Sequence, residues 1–433
     1  MLCGSSSPHV GGTEPLGVAE SETTWCGAAR RDTWTGWGSC RAVASRRVSI
    51  DPEIADELVA TIAAWVDRDV VPAASELEAA DEFPEAMFAR MCDFGLFGAT
   101  IDPAYGGLGL DAVTYARIVE ELSRGWMSLA GILNSHKLAV AMISRFGTDE
   151  QRRRFLPRMV DGSLRACFSL SEPDAGSDTQ NIRCRAVPDG DEWIVNGTKM
   201  WVTNGMRAGL VMLLARTPDD RITAFIVEKT PGPADGGLTI SRNIDKLGYK
   251  GVETVEMSYV DHHVPDANLL GGPEGVGNGL RHALAALELG RVNIAARAVG
   301  VAQAAYDAAM AYAQERQTFG KPIFEHQAVR FMLAEMATKL HAARLVTYDA
   351  ARRYDEGRRI DLEAGMAKLF ASEAAYEIAT DAMRIHGGYG YTTEYPVERY
   401  YRDTPLMIIG EGTNEIQKLV IARQLLARWL EKN

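Results

Sequence analysis

The six cysteines of this 433-residue chain, Cys3, Cys26, Cys40, Cys92, Cys167 and Cys184, include no C-x-x-C pair, so neither a metal site nor a disulfide framework is suggested. A reducing cytoplasm is the setting this implies, and each thiol reads as inert. Positive charge is in short supply: 46 Lys and Arg stand against 58 Asp and Glu, a net charge of -12. That balance repels phosphate backbones and argues against nucleic acid as a partner. Long apolar runs are missing too. Stretches such as 209–214 and 406–409 fall far short of the ~20 residues that cross a bilayer, so no membrane partner is expected. No G-x-G-x-x-G follows a strand and opens a helix, so a dinucleotide would have to be held outside a Rossmann crevice.

What remains is ordinary globular composition, with 24% charged and 46% hydrophobic residues, 41 Gly and 17 Pro. At ~150 residues per domain the length implies roughly three folding units. Residues 1–50 are rich in Ser, Gly, Thr and Arg, hold Trp25, Trp34 and Trp37, and lack any helical or strand period. Glu14, Glu20, Glu22 and the missing apolar segment argue against a targeting sequence, leaving a disordered N-terminal extension as the expectation. From Pro52 the spacing of Ile54, Leu58, Ile62 and Trp65 predicts a helix, and helices are expected to continue to about Val160. Breaks at Pro103–Gly107 and a helix opening at Thr148–Gln151 punctuate that region. Short β-rich runs then predict strands at Cys167–Ser171, Trp193–Val195, Lys199–Thr203, Val211–Ala215 and Ile222–Val227, with Asn196-Gly197 as a hairpin turn. The helical period returns near 276–315, 324–356, 361–386 and 413–430, enough for a four-helix bundle. The expected layout is a helical domain over 51–163, an antiparallel β domain over 164–272 and a helical bundle over 273–433, an α+β architecture.

Three stretches carry candidate chemistry. Phe168-Ser-Leu-Ser-Glu-Pro-Asp-Ala-Gly-Ser-Asp178 is a strand running into a loop that can hydrogen-bond a flat polar ring or a phosphate, and it also reads as a generic turn. In Lys199-Met-Trp-Val-Thr-Asn-Gly205 alternation puts Trp201 and Thr203 on one face. Together they suit a flavin, one against the ring and one at its edge; a core Trp beside an exposed Thr is the alternative. In Ile408-Ile-Gly-Glu-Gly-Thr-Asn-Glu-Ile-Gln417, Glu411 lies between two glycines that let a ligand approach. A carboxylate desolvated there would have the raised pKa that a general base near neutrality needs, whereas a solvated loop Glu would not. Asn414 and Gln417 have capping-box spacing.

These stretches, in this order and spacing, resemble the acyl-CoA dehydrogenases from about residue 52 to 431. The resemblance extends to Glu315-Arg-Gln-Thr-Phe-Gly-Lys321, His326-Gln327, Arg384-Ile-His-Gly-Gly-Tyr-Gly-Tyr391 and Glu394-Tyr-Pro-Val-Glu-Arg399. It implies a helical N-terminal domain, a middle β domain and a C-terminal four-helix domain holding FAD and acyl-CoA, in a homotetramer or homodimer. Phe168, Leu170, Ser171, Trp201 and Thr203 would then surround the isoalloxazine, with Thr203 near N5. Arg316, Phe319, Gln327, Arg384, Gly387 and Gly388 match positions that hold the ADP part across a subunit interface, and Thr413 and Glu415 complete the cofactor contacts. Ser177, Glu288, Arg291 and Gly412 match substrate-side positions. The implied reaction is concerted αβ-dehydrogenation: Glu411 removes the proton beside the thioester, hydride leaves the next carbon for flavin N5, and electron-transferring flavoprotein takes the electrons.

Three departures accompany the resemblance. One branch of the family carries its base immediately before the residue matching Arg291, where this chain has Gly290, so Glu411 is the candidate base in either location. Arg384 stands where glutamine is common, and Gly410 where some medium-chain members have tyrosine. The competing readings are an acyl-CoA oxidase, disfavoured because the 433 residues lack the second helical domain that longer oxidases add, and a catalytically idle flavoprotein scaffold or DNA-associated stress protein of the same fold, disfavoured by the presence of Glu411 and by the acidic balance.

Overall fold

The structure, a computed structural model, describes residues 51–432; the extension expected over 1–50 lies outside the described residues. Asp51 caps helix α1 (Pro52–Trp65), its side chain accepting from the Glu53 N–H. The face α1 buries is Ala55, Val59, Ile62 and Trp65, while Ile54 is exposed, so the apolar stripe is rotated from the expected one in its first turns. Pro72 follows within α2 (Val71–Ala79). Its missing N–H cannot continue the ladder, and over Val66–Val70 the backbone widens to a π-turn in which the Val71 N–H reaches the Val66 carbonyl. After α3 (Glu85–Asp93), the 35-residue α4 (Ala112–Phe146) is broken only at Trp126, whose backbone is extended. The expected opening of α5 (Asp149–Met159) is a complete capping box: Thr148 Oγ1 accepts from Gln151 N at 3.1 Å, and Gln151 Oε1 from Thr148 N at 3.0 Å.

The middle region is an eight-stranded sheet of β1 (Ala166–Ser169), β2 (Arg185–Asp189), β3 (Glu192–Thr203), β4 (Leu210–Arg216), β5 (Ile222–Glu228), β6 (Ala234–Asp235), β7 (Leu238–Ile240) and β8 (Thr254–Pro265). It is mixed rather than purely antiparallel, because β1 runs parallel to β4 and β2 meets β4 in the same sense. β4 lies between β1 and β5 and is buried on both faces until its last residue, which explains its unbroken apolar sequence. Asn196-Gly197 is not a hairpin turn. The chain passes straight through it within β3, at a register shift against β8, and β2 and β3 are joined instead at Gly190. Gly197 has φ +144, and a Cβ there would stand 2.6 Å from the Cys184 Cα, so the glycine serves a bulge and a close strand approach. Asn196 exchanges two hydrogen bonds with Asp261 of β8, at 3.0 and 2.9 Å.

The C-terminal half holds α6 (Gly279–Glu315), the small ribbon β9 (Gln317–Thr318) and β10 (Lys321–Pro322), then α7 (Gln327–Asp355), α8 (Asp361–His386), α9 (Val397–Ile409) and α10 (Asn414–Leu430). The four expected helices are present, and α9 is an addition. Pro405 lies inside α9, where it removes the donor to the Tyr401 carbonyl, and Thr404 Oγ1 supplies that bond at 3.0 Å. One apolar core joins α1 and α4 to α6 and α8, and a second joins α4 and α5 to β1, β4 and β5. α4 is therefore buried by both halves, and its side chains reach the site from inside.

Candidate active site

Glu411 sits in the turn between α9 and α10. Gly410 leaves α9 in extended conformation, Glu411 takes φ +55 and Gly412 φ +88. A left-handed non-glycine backbone costs about 1–3 kcal/mol and persists only where its surroundings hold it. Here they do so from both sides: Lys368 Nζ of α8 donates to Ile408 O at 2.9 Å and to Asn414 Oδ1 at 2.7 Å, while Gln417 Nε2 donates to Gly412 O at 3.0 Å. α10 is capped by Thr413, whose Oγ1 accepts from Ile416 N at 3.3 Å. The capping box expected from Asn414 is not formed. Asn414 lies one residue inside the helix and is buried against Lys368 and Ser372.

The Glu411 side chain points at α4 and α6. Asn134 Nδ2 of α4 donates to Oε1; Oε2 is buried with no hydrogen-bond partner among the described residues. On α6, a Cβ at Gly290 would run into the Glu411 carboxylate. Burial pushes the Glu411 carboxyl above its ordinary range, against the charge of Arg297, the Asn134 hydrogen bond and the charges of Arg291 and Lys368. Burial likewise lowers Lys368 to about 8. Glu288, on the same helix as Gly290, is raised by burial and then by Asp361 to about 7. Arg291 is buried, with its Nη1 3.8 Å from Asp361 Oδ1 and its Nε unpartnered. Glu411, Gly412, Glu288 and Arg291 thus gather at one place. Asn134, Arg297, Lys368 and Tyr249 join them without having been expected there.

A second group lies on the β domain. Leu170 O accepts from Lys199 Nζ at 2.9 Å, and Ser171 O from Met200 N at 2.9 Å, so the end of β1 is strapped to β3. Lys199 is fully buried and paired with Glu172 at 2.8 Å. Phe168, Ser171 and Thr203 are half-buried. Trp201 is no core residue: it is 58% exposed at φ +63, in the bulge between Lys199 and Val202. Asn204, also left-handed, donates to Ile132 O of α4 at 2.8 Å and ties this edge to the helices. Burial raises the Tyr249 phenol, against the Arg297 charge and hydrogen bonding from Arg297 and Thr203, so Tyr249 connects this group to the Glu411 site.

The third group surrounds a cavity of about 510 Å³ where α6 ends, lined by Tyr312, Arg316, Gly387, Gly388 and Tyr389 among others. A neighbouring cavity of about 340 Å³ takes in Phe319 and Arg384, and both share Thr318, Ile323 and Ile385. A Cβ at Gly387 or Gly388 would meet nothing within 4 Å, so the cradle is open. Phe319 is 95% exposed with φ +52. An arginine at an open, glycine-floored cradle fits a pyrophosphate, and an exposed aromatic in strained conformation fits a stacking partner. Gln327 lines neither cavity, and Ser177 and Glu415 are exposed.

Comparison with known proteins identifies the family and the fold. The sequence matches the family descriptions of the acyl-CoA dehydrogenase N-terminal domain over residues 52–163, middle domain over 167–261 and C-terminal domain over 277–426. It is 39% identical over 407 residues to the mitochondrial short-chain specific acyl-CoA dehydrogenase of Bos taurus, covering 93% of this chain and 97% of that protein. Butyryl-CoA dehydrogenase from Megasphaera elsdenii superposes with TM-score 0.83 at 34% identity, over 87% of this chain and 99% of that one. A chain from a structure of the electron transferring flavoprotein of Acidaminococcus fermentans gives 0.82 at 36% identity, over 87% and 99%. The chain belongs to the acyl-CoA dehydrogenase family of FAD-dependent enzymes.

Proposed function

We propose that this enzyme converts an acyl-CoA thioester to the trans-2-enoyl-CoA, with Glu411 taking the α-proton. The observation that supports it most is Glu411 itself, with Oε1 tied to Asn134, Oε2 buried and unpartnered among the described residues, and its turn held by Lys368 and Gln417. One anchored oxygen and one free oxygen give the carboxylate a fixed direction in which to accept a proton. The raised pKa makes it a stronger base than a solvated carboxylate, and its neutral form is tolerated once the proton has moved. The Glu411 backbone N–H is the proposed donor to the thioester oxygen, where negative charge grows as the proton leaves.

FAD, when bound, supplies the acceptor for the hydride that leaves the β-carbon. The residues proposed to hold its ADP part are Arg316, Phe319, Gln327, Arg384, Gly387 and Gly388, and those beside its ring are Phe168, Leu170, Ser171, Trp201 and Thr203, with Thr413 and Glu415 adding contacts. Ser177, Glu288, Arg291 and Gly412 are assigned to the thioester. The domain limits 51–163, 164–272 and 273–433 belong to the same proposal, as do electron-transferring flavoprotein as the electron acceptor and a cytoplasmic location. No helix of the described residues is long and apolar enough to cross a membrane. Assembly as a homotetramer, or a homodimer, is supported by apolar side chains left exposed on three helices: Phe331 and Leu345 of α7, Phe370 of α8, and Leu419 and Leu426 of α10.

The test is Glu411→Gln in the holoenzyme. It should keep FAD and bind thioester while losing turnover by orders of magnitude, because only the proton acceptor has gone. Turnover near that of the wild type would remove Glu411 from the role.

A further inference from the structure

α6 presents Gly290, Asn293 and Arg297 at i, i+3 and i+7, one face of the helix. Gly290 meets Glu411; the residues beyond it build a polar wall. Asn293 Nδ2 donates to Tyr115 Oη of α4 at 2.9 Å, and Asn293 Oδ1 accepts from Arg297 Nε at 2.7 Å. Arg297 is 3% exposed, and its guanidinium carbon lies 5.9 Å from the centre of the Tyr249 ring. A Cβ at Gly131 of α4 would overlap the Tyr249 hydroxyl, so α4 is shaped to admit this polar group. Lys137 Nζ, also buried, lies 3.9 Å from the centre of the Tyr115 ring. The hydrogen-bond and ring neighbours of Arg297 are Asn293 and Tyr249, both neutral, and among the described residues no carboxylate forms an ion pair with it.

The negative charge that faces this buried guanidinium is Glu411 itself, which Arg297 holds toward the ionised form, and an alkyl tail beside it adds no second one. The reaction removes the first. Of the charges around Glu411, Arg297 most favours the ionised form. When Glu411 takes a proton, that negative charge disappears from the wall, so Arg297 opposes the step on which turnover depends. A substrate carrying its own anion to Arg297 would remove the opposition and complete the pairing.

We propose that the acyl group this enzyme dehydrogenates ends in a carboxylate received by Arg297, a reading that rests on Glu411 being the base. The helix sets the length. Arg297 is seven residues beyond Gly290, about 10 Å along the axis, but its side chain turns back to Asn293, which brings the guanidinium to about 5 Å beyond Gly290. That reach places the carboxyl about two to four bonds past the deprotonated carbon, as in mono-thioesters of dicarboxylic acids with about four to six carbons.

Matched pairs of CoA thioesters test this on the holoenzyme: butyryl against succinyl, pentanoyl against glutaryl, hexanoyl against adipyl. Rates are read with a dye acceptor, and calorimetry gives Kd for the corresponding 2-enoyl products. In at least one pair the carboxylated member should lead by tenfold or more in kcat/KM, and its product should bind more tightly. Arg297→Met should reverse that order and Arg297→Lys should keep part of it. A lead for the alkyl member in all three pairs would overturn the proposal, as would an equal loss for both members in Arg297→Met. Should that variant fail to fold, the wild-type rates and product affinities decide alone. Oxidation of alkyl thioesters only would sink the carboxylate reading and leave Glu411 as base. Oxidation of none, with FAD bound, would sink both.

Discussion

Replacing Gly290 by alanine separates helix chemistry from site geometry. Gly290 lies inside the 37-residue α6, where glycine to alanine should by itself stabilise the helix by about 1 kcal/mol. The added methyl would, however, press on the Glu411 carboxylate and stand 3.2 Å from Leu138 Cδ2. The turn carrying Glu411 cannot retreat, because Lys368 holds Ile408 and Asn414 while Gln417 holds Gly412. The carboxylate must swing aside and give up its bond from Asn134, a charge-assisted bond of about 1.5–3 kcal/mol. The net loss of stability should therefore be small, about 0.5–2 kcal/mol. The loss of activity should not be small, since displacing a reacting group by about 1 Å costs on the order of 100-fold. Urea unfolding of purified Gly290→Ala gives the first quantity, and steady-state rates with a dye acceptor at full FAD occupancy give the second. A wild-type kcat in this variant would refute the placement of the Glu411 carboxylate against α6.

Two further outcomes are expected. Burial holds the Glu411 carboxyl above its ordinary value, so the folded protein binds that proton more tightly than the unfolded chain, and stability falls as pH rises from about 4.5 through the folded pKa. Glu411→Gln should accordingly melt above the wild type at pH 8 and together with it at pH 4; coincident melting at both would mean the carboxylate is not desolvated. Asn204→Ala should cost about 2–3 kcal/mol, losing the bond to Ile132 O and straining a left-handed residue, whereas Asn204→Gly should cost about 1 kcal/mol because its backbone is at ease there. Equal losses in denaturant melts of the two variants would show that the backbone conformation contributes nothing.

Features whose cause is local could be read from the sequence, and those whose cause is a partner far along the chain could not. Thr148 to Gln151 is a cap because its own side chains close the box. Glu411 could be singled out because the glycines that free its backbone are its neighbours. Asn196-Gly197 misled for a physical reason: a tight turn and a bulge both call for the backbone freedom of glycine, and only the partner strand β8 decides between them. α9 is not among the helices expected from the sequence, and Pro405 is tolerated inside it because Thr404 replaces the lost bond. The wall opposite Glu411 is assembled from Tyr115 and Asn134 of α4, Tyr249 of a loop and Asn293 and Arg297 of α6, residues that no spacing rule links. Even so, α6 carried a signal. Leu289 to Ala302 is buried without a gap, and the apolar and glycine run there is interrupted only by Arg291, Asn293 and Arg297. A helix buried on every side cannot solvate such groups, so each needs a partner from another element. Arg291 has Asp361 and Asn293 has Tyr115. Arg297 faces the Glu411 carboxylate only until the proton moves, and from then on a negative charge opposite it would have to come from the molecule that enters the site.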